Sequence, residues 1–393
     1  MTASRRAVVI GGGIGGLTAA AALYQGGWRV TVLERARSLE PVGAAISLAP
    51  NALRALDVIG LGDTVRDLAA WQGDGGLRTP SGRWLSRSSA AAAQERFGGP
   101  LVLLHRATLI GHLAALLPDG TVRTAAEATL ADPGDDGRPA VVRTAAGELE
   151  ADLVVGADGI HSAVRRALFP EHPGPVYSGF TTWRVVIPVP GVEFASHETW
   201  GRGRIWGTHP LKDGRVYAYA AAMTPAGGRG GDEKAELLRR FGDWHDPVPA
   251  VLAAARPEDV LRHDVFHLAQ PLPAYHHGRA ALLGDAAHAM PPTLGQGGNQ
   301  AVEDAVVLAH HCGDLAAYTA ARLPRTTAVA RQAVRVARLN MTGNRALMAV
   351  RNTLIAGLSK AGPALVLRGF DGIADWRPPQ PPYASVEADT GTR

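Results

Sequence analysis

The sequence predicts an α/β protein whose parallel sheet is interrupted by an inserted antiparallel sheet and closed by C-terminal helices. Three observations predict it. Near the N-terminus, Ala7-Val8-Val9-Ile10 leads into a glycine-rich loop, an alanine-rich helical stretch and a second β-branched run, Arg29–Leu33. Later, the apolar runs Leu153–Val155 and Ala280–Leu283 each end at a glycine and an aspartate. Between them, Thr181–Ile187, Arg204–Gly207 and Arg215–Ala220 alternate as antiparallel strands do, with Lys212-Asp213-Gly214 as a hairpin turn.

The first element carries G-x-G-x-x-G at Gly11, Gly13 and Gly16. Gly11 permits the tight turn, Gly13 lets the backbone approach a pyrophosphate, and Gly16 allows close helix–strand packing. The helix that follows points its unsatisfied N–H groups at an anion. Glu34, with Arg35 beside it, ends the second run, where a carboxylate accepts ribose hydroxyls and repels a 2′-phosphate. Strand, loop, helix, strand and acid come in the order of a Rossmann-type dinucleotide fold. The fingerprint does not separate NAD from FAD.

The two later runs place Asp158 and Asp285 at the carboxyl ends of strands, where open α/β sheets bind ligands. A carboxylate there can hold sugar or ribityl hydroxyls. After Asp285, the small residues Gly295, Gly297 and Gly298 at a helix start expose backbone N–H groups suited to a polar ring edge.

These segments resemble the class A flavoprotein monooxygenases of the para-hydroxybenzoate hydroxylase fold, such as salicylate hydroxylase, urate hydroxylase and zeaxanthin epoxidase. The matching motifs are the glycine fingerprint, Asp158-Gly159 with Ser162 and Arg165, and Gly284-Asp285 with Ala286-Ala287-His288, Pro291-Pro292 and Gly295-Gln296-Gly297. Weaker matches are Val42–Ile46 with Pro50-Asn51-Ala52, His105-Arg106 with Leu109, and Tyr318 with Arg322 and Arg325. The resemblance implies bound FAD, NADH or NADPH as co-substrate, and O2 captured as a C4a-hydroperoxyflavin. Its terminal oxygen then hydroxylates, or epoxidises, an electron-rich aromatic, indole-like or polycyclic small molecule of secondary metabolism.

The same resemblance implies residue roles. Glu34 would bind the adenosine ribose, with Arg35 beside it also at the cofactor, Arg106 the diphosphate or ribityl chain, and Asp285 the ribityl or pyrophosphate part of FAD. The Asp158-Gly159 segment would serve both FAD and NAD(P)H binding. Backbone around Pro292 and Gly295, Gly297 and Gly298 would line the isoalloxazine and the oxygen site, with Asn299 a further cofactor-binding residue. Ala45, also at the cofactor, stands where relatives often carry a second glycine near the flavin. Arg204 and Tyr217 match positions that resemble substrate contacts of the urate-hydroxylase branch. His209, His263 and His267 are candidate bases for a phenolic substrate, whereas His105 and His288 are read as packing residues.

The remainder of the chain bounds this reading. Its 393 residues divide into an FAD-binding domain (1–70, 100–179 and 278–375), an inserted substrate domain (71–99 and 180–277) and a flexible tail, 376–393. Trp183, Arg184, Arg204, Trp206, Tyr217 and Tyr219 lie on strands expected to roof the flavin. A net charge of +4 without a basic run disfavours nucleic acid. A single cysteine, Cys312, excludes an intrachain disulfide, and no metal site is expected. The apolar stretch Ala346–Phe370 is broken by Arg351, Lys360 and Pro363, so no stable membrane insertion is expected. The expectation is a cytoplasmic monomer or homodimer. Three other readings compete. An isoprenoid reductase of the same superfamily would use FAD without inserting oxygen. A flavin halogenase would need W-x-W-x-I-P, and Trp183–Pro188 lacks the second Trp. A non-catalytic flavin-binding redox protein ranks last.

Overall fold

A computed structural model describes residues 4–39, 45–70, 75–87, 90–228, 231–361 and 371–380. Val42, Gly43 and Ala44 of the weaker motif, and the tail beyond 380, lie outside the described residues.

Among those residues, β1 (Arg6–Ile10) is central to a six-stranded sheet. It lies between β2 (Arg29–Leu33) and β11 (Leu153–Gly156), both parallel to it. β7 (Val122–Arg123) extends the sheet beyond β2, and β18 (Ala280–Leu282) extends it beyond β11. β17 (His276–His277) closes one edge antiparallel. β1 beyond Arg6, β11 and β18 are buried on both faces, as apolar runs without alternation require. α1 (Ile14–Gln25), α2 (Pro50–Val58), α3 (Gly62–Arg66), α5 (Arg106–Ala114), α6 (Ala163–Leu168) and α10 (Gly297–His310) contribute to the same core. α1 packs on α10 at close range, which its run of alanines permits. Two small sheets flank this unit: β3 (Ala45–Leu48) with β6 (Val102–His105), and β8 (Ala128–Asp132), β9 (Ala140–Thr144) and β10 (Gly147–Ala151).

The second large sheet has seven strands. Its order is β16 (Leu261–Leu268), β12 (Pro175–Pro188), β15 (Arg215–Met223), β14 (Arg204–Pro210), β13 (His197–Trp200), β4 (Gly76–Arg78) and β5 (Trp84–Arg87). Its faces differ. Trp183, Val185, Trp206, Val216 and Ala218 point to one side, against Leu237 and Phe241 of α7 (Glu233–Phe241) and Val248, Val251 and Leu252 of α8 (Val248–Ala254). Phe180, Ile205, Ala221 and Val265 point to the other, against Ala337 and Met341 at the end of α11 (Leu315–Asn340). Leu103, Ala45, Val186, Tyr217 and Tyr219 cluster farther along that second face.

α4 (Ala90–Phe97) follows β5, and α9 (Asp285–His288) follows β18. The apolar pattern from Ala316 to Leu347 reads as one helix, but α11 ends at Asn340 and α12 (Arg345–Ala361) begins anew. The cause is Asn344, whose side-chain oxygen accepts the N–H groups of Ala346 and Leu347 and starts the second helix. The break docks on the sheet: Gly203 donates its N–H to the Thr342 carbonyl and Arg202 its guanidinium to that of Gly343. No described helix is long and apolar enough to cross a membrane.

Candidate functional site

The glycine loop has the strain its sequence implies. Gly11 has φ +114°, and a Cβ there would lie 2.3 Å from the Ala157 carbonyl oxygen. A Cβ on Gly16 would lie 2.1 Å from the Gly11 oxygen, so α1 reaches β1 only through glycine. At Gly13 the space is open, and the nearest atom a Cβ would meet is Nη2 of Arg106, at 3.8 Å. Arg106 begins α5 and has no hydrogen-bond or ion-pair partner among the described residues. Its side chain is exposed, yet desolvation holds its pKa below the ordinary value, with Asp285 opposing that shift. The guanidinium is thus crowded by protein yet open to solvent, and borders a cleft beside the glycine loop.

Around that cleft, Glu34 accepts the N–H of Gly12 at 2.7 Å and of Ala36 at 2.8 Å, leaving lone pairs free on both oxygens. Arg35 is exposed next to it. Asp285 is exposed at the head of α9, and its Oδ1 is 3.8 Å from where a Cβ on Gly297 would stand. Pro292 and Gly295 are exposed in the turn that precedes α10, and Gly295 is left-handed at φ +64°. A Cβ on Gly298 would meet Ile46 Cδ1 at 2.6 Å, so β3 also closes onto this turn through glycine. Ala45, half-buried in β3, packs beside Tyr217.

The Asp158 segment braces the cleft. Asp158 Oδ2 accepts the N–H of Ala163 at 2.7 Å and of Val164 at 3.1 Å, while its buried Oδ1 has no partner. Ser162 caps α6 by accepting the Arg165 N–H at 2.8 Å. The buried Arg165 donates to the carbonyls of Ala286, at 3.0 Å, and Ile160, at 2.6 Å, tying the two aspartate segments together.

The Asn299 side chain turns into the protein. It is 0% exposed, and its amide donates to the carbonyls of Ser47 (2.8 Å) and Gly295 (2.7 Å) while accepting the Ala49 N–H (2.8 Å). Both of its amide hydrogens go to holding β3 and the Gly295 turn in place, so its side chain positions the turn, while its backbone N–H belongs to the first turn of α10. Behind the turn, Arg322 donates to Asp304 (2.7 Å), Glu303 (2.7 Å) and Gln300 (2.9 Å). His288 pairs with Asp304 at 2.5 Å, and Asn51 donates to Glu303 at 2.7 Å. Asp304 keeps its pKa depressed to about 2, its burial being outweighed by His288 and Arg322. His288 therefore braces α9, and Tyr318 braces β18 through the Leu282 carbonyl, at 2.9 Å.

The second face of the seven-stranded sheet supplies the opposite wall. Arg184 lies on it, its charge lowering the pKa of His263 together with that of Arg106, after desolvation. Tyr219 donates to Oε1 of Glu198, and Trp200 Nε1 donates to Oε2 at 2.6 Å. The register explains the reach. Glu198 pairs with Gly207, which pairs with Tyr219, and a Cβ on Gly207 would fall 2.3 Å from Tyr219 Cζ. The absent side chain lets the phenol ring lie across β14. His209 stacks on Tyr219 at 5.5 Å and lies 6.1 Å from Tyr217. Desolvation pushes the Glu198 carboxyl up and His209 down to about 3, so His209 is neutral near pH 7. Glu198, Tyr219 and His209 are nonetheless only partly covered, which places them around a recess.

Arg204 does not join this wall. Alternation puts it with Trp206 on the α7 side, where its guanidinium donates to the Arg240 carbonyl and lies over Phe241, at 5.9 Å, and Trp244, at 5.6 Å. The likeness to a substrate contact fails because strand register, not sequence position, sets the face. Trp183 is turned away likewise, its Nε1 donating to Glu233 at 2.7 Å. Tyr217 does face the recess side, in contact with Leu103 and Ala45. Of the candidate bases, His267 lies elsewhere, hydrogen-bonded to Ser178 at 2.8 Å and lining a different groove. Sequence reasoning missed Glu198, whose only signal is its alternation with Trp200, because the residue facing it depends on a pairing that no local pattern reveals.

A dinucleotide cleft of this fold facing an aromatic wall defines a nucleotide-binding protein with room for a flat ligand beside the cofactor. A sequence profile described as FAD binding domain matches residues 5–333, and the chain belongs to that family, within the class A aromatic flavin monooxygenases. It is 42% identical over 339 residues to the aurachin C monooxygenase/isomerase of Stigmatella aurantiaca, covering 85% of each chain. It is 34% identical to the FAD-dependent urate hydroxylase of Klebsiella pneumoniae, over 77% of this chain and 80% of that one. The solved structure of Klebsiella pneumoniae HpxO with FAD and uric acid superimposes with a TM-score of 0.85 at 28% identity, covering 95% and 97% of the two chains. The chain is an FAD-dependent monooxygenase, and the oxygenase names of its relatives stand against the reductase alternative.

Proposed function

We propose that the enzyme hydroxylates a planar, hydroxylated ring bearing nitrogen, held between the Gly295 turn and the Arg184–Tyr217–Tyr219 wall, with NADH or NADPH as reductant and O2 as oxidant. The Glu198–Gly207–Tyr219 rung carries the reading. Because Tyr219 donates its only proton to Glu198, its oxygen turns lone pairs to the recess and accepts a ring N–H or O–H. Arg184 supplies a positive charge for a ring that ionises, lowering the cost of deprotonation. The names of relatives agree in class: urate, 6-hydroxynicotinate and 3-amino-4-hydroxybenzoate are hydroxylated or oxo-substituted rings carrying nitrogen.

The residues fit FAD. The open space at Gly13 beside the unpaired Arg106 suits a diphosphate, Glu34 keeps lone pairs for a ribose, and Asp285 and the buried free oxygen of Asp158 suit hydroxyl donors. Pro292, Gly295, Gly297 and Gly298 would border the ring system. Bound FAD would carry electrons from the reductant and activate oxygen, while the protein orients the substrate and excludes water. On this reading 71–99 and 180–277 act as the substrate domain, in a cytoplasmic enzyme.

The test is NAD(P)H oxidation by the purified yellow protein with quinolones, hydroxypyridines, aminophenols and purines, with product masses recorded. A compound that accelerates oxidation and gains one oxygen atom supports the proposal. Acceleration confined to carbocyclic phenols without nitrogen overturns the substrate class.

A further inference from the structure

A second recess lies apart from the aromatic wall. It encloses about 250 Å³ and runs between Leu268–Pro271, after β16, and one side of α11. Tyr275 and Ala287–Met290 form its floor. Arg331, Arg335 and Arg338 line it, all exposed, together with His267 and Gln270. None of the three arginines has a carboxylate partner among the described residues, whereas Arg322 and Arg325, roughly two turns before Arg331 on the same helix, are both ion-paired to Glu303. The lining contains no Asp or Glu. Asp304, behind the floor, is already taken by His288 and Arg322.

Three guanidinium groups without a carboxylate partner among the described residues, set over two helical turns, offer a row of charged donors to an anion. With ~1.5 Å of rise per residue, they step ~6 Å and then ~4.5 Å along the helix axis, a spacing that two linked phosphates can bridge. Guanidinium forks bind phosphate oxygens in pairs. The apolar residues Leu268, Pro271, Met290 and Val334 offer a shelf for a flat ring beside the charges. Met290 leads directly into Pro291-Pro292, so an occupant would lie against the back of the turn that borders the cofactor cleft.

We infer that this groove binds the diphosphate of the pyridine dinucleotide that reduces the enzyme, with Arg331, Arg335 and Arg338 as its anchors. The inference rests on the monooxygenase reading, which requires a hydride donor. It explains why the chain has a single dinucleotide fingerprint yet uses two dinucleotides.

The probe is ADP-ribose, titrated by calorimetry into the FAD-loaded full chain, so that the flavin blocks the Rossmann cleft. The double variant Arg335→Ala/Arg338→Ala, both exposed helix positions, should weaken ADP-ribose about tenfold or more. It should raise KM for NADH or NADPH to match, an effect saturating nucleotide overcomes, with flavin content unchanged. Unchanged ADP-ribose affinity in that variant overturns the assignment, as does absence of binding to the parent protein. Displacement by inorganic pyrophosphate at equal affinity overturns the dinucleotide class. A parent that binds ADP-ribose through these arginines yet oxidises neither nucleotide, with any substrate, refutes the monooxygenase reading and leaves the groove standing.

Discussion

Glu198 is a carboxylate with two neutral donors and no cation, so its value lies in fixing Tyr219, not in adding stability. Replacing Tyr219 by Phe removes the acceptor offered to substrate and leaves Glu198 one donor short. We expect kcat/KM to fall about tenfold to a hundredfold, most of it in KM, while FAD affinity is untouched. Steady-state kinetics with flavin titration separates the two. Gly207→Ala should act on the same kinetic constants by displacing the ring, since its Cβ cannot coexist with Tyr219. The histidines on this sheet set a pH dependence. Desolvation lowers His209 to about 3 and His197 to about 4, against an ordinary value of 6.5. The unfolded chain therefore binds protons that the folded one refuses, so their contribution is complete above about pH 6.5 and drains away as pH falls towards 4 and below. Melting temperature followed from pH 7 to pH 4 should drop in the parent and drop less in His209→Gln. Parallel curves for the two proteins would remove His209 as the cause.

The elements around the Gly295 turn depend on charges buried without water. Glu303 and Asp304 are 0% exposed and Arg322 1%, so Arg322→Met takes the shared guanidinium from both carboxylates and leaves Glu303 to Arg325 and Asp304 to His288. A loss of about 3–5 kcal/mol is expected, read by denaturant unfolding, with flavin retention failing alongside. Gly16→Ala should abolish flavin retention too, because the Cβ would enter the Gly11 carbonyl and push α1 from β1. These elements are the most legible in sequence. Ala7–Ile10, the glycines and Glu34 are adjacent in the chain, and the strand–turn–helix follows from local sterics. Asp158 and Asp285 are legible as strand ends. Less legible is what Asn299 does: the sequence shows an amide beside a glycine turn, but only the fold brings Ser47 and Ala49 to it. Arg204 shows the same limit, since a one-residue shift in register decides which face a side chain takes. α7 and α8 are missed by sequence reasoning, because the alternation in that region suggests strands alone.

At the scale of the whole molecule, the proposed cofactor cleft is assembled from distant parts: the β1–α1 loop, Arg106 of α5, Asp285 of α9 and the Gly295 turn. A ligand bound there holds these elements together and is linked to global unfolding. A thousandfold excess of FAD over its dissociation constant contributes about 4 kcal/mol, and a rise in Tm of several degrees is expected. Scanning fluorimetry of the stripped and reloaded protein reads this directly. Arg106→Ala should shrink the shift, and an undiminished shift would show that the guanidinium does not touch the cofactor.

The seven-stranded sheet keeps two kinds of residue on opposite sides. Trp183, Trp206 and Ala218 belong to the core with α7 and α8, while Arg184, Tyr219 and Glu198 stand alternately with them on the other side. Mutation can therefore explore one side with little penalty on the other, which is what makes a scaffold evolvable. A combinatorial library at Arg184, His209 and Tyr219 should yield a large folded fraction with altered substrate preference. The same diversity at Trp183, Val185, Trp206 and Ala218 should yield mostly insoluble protein.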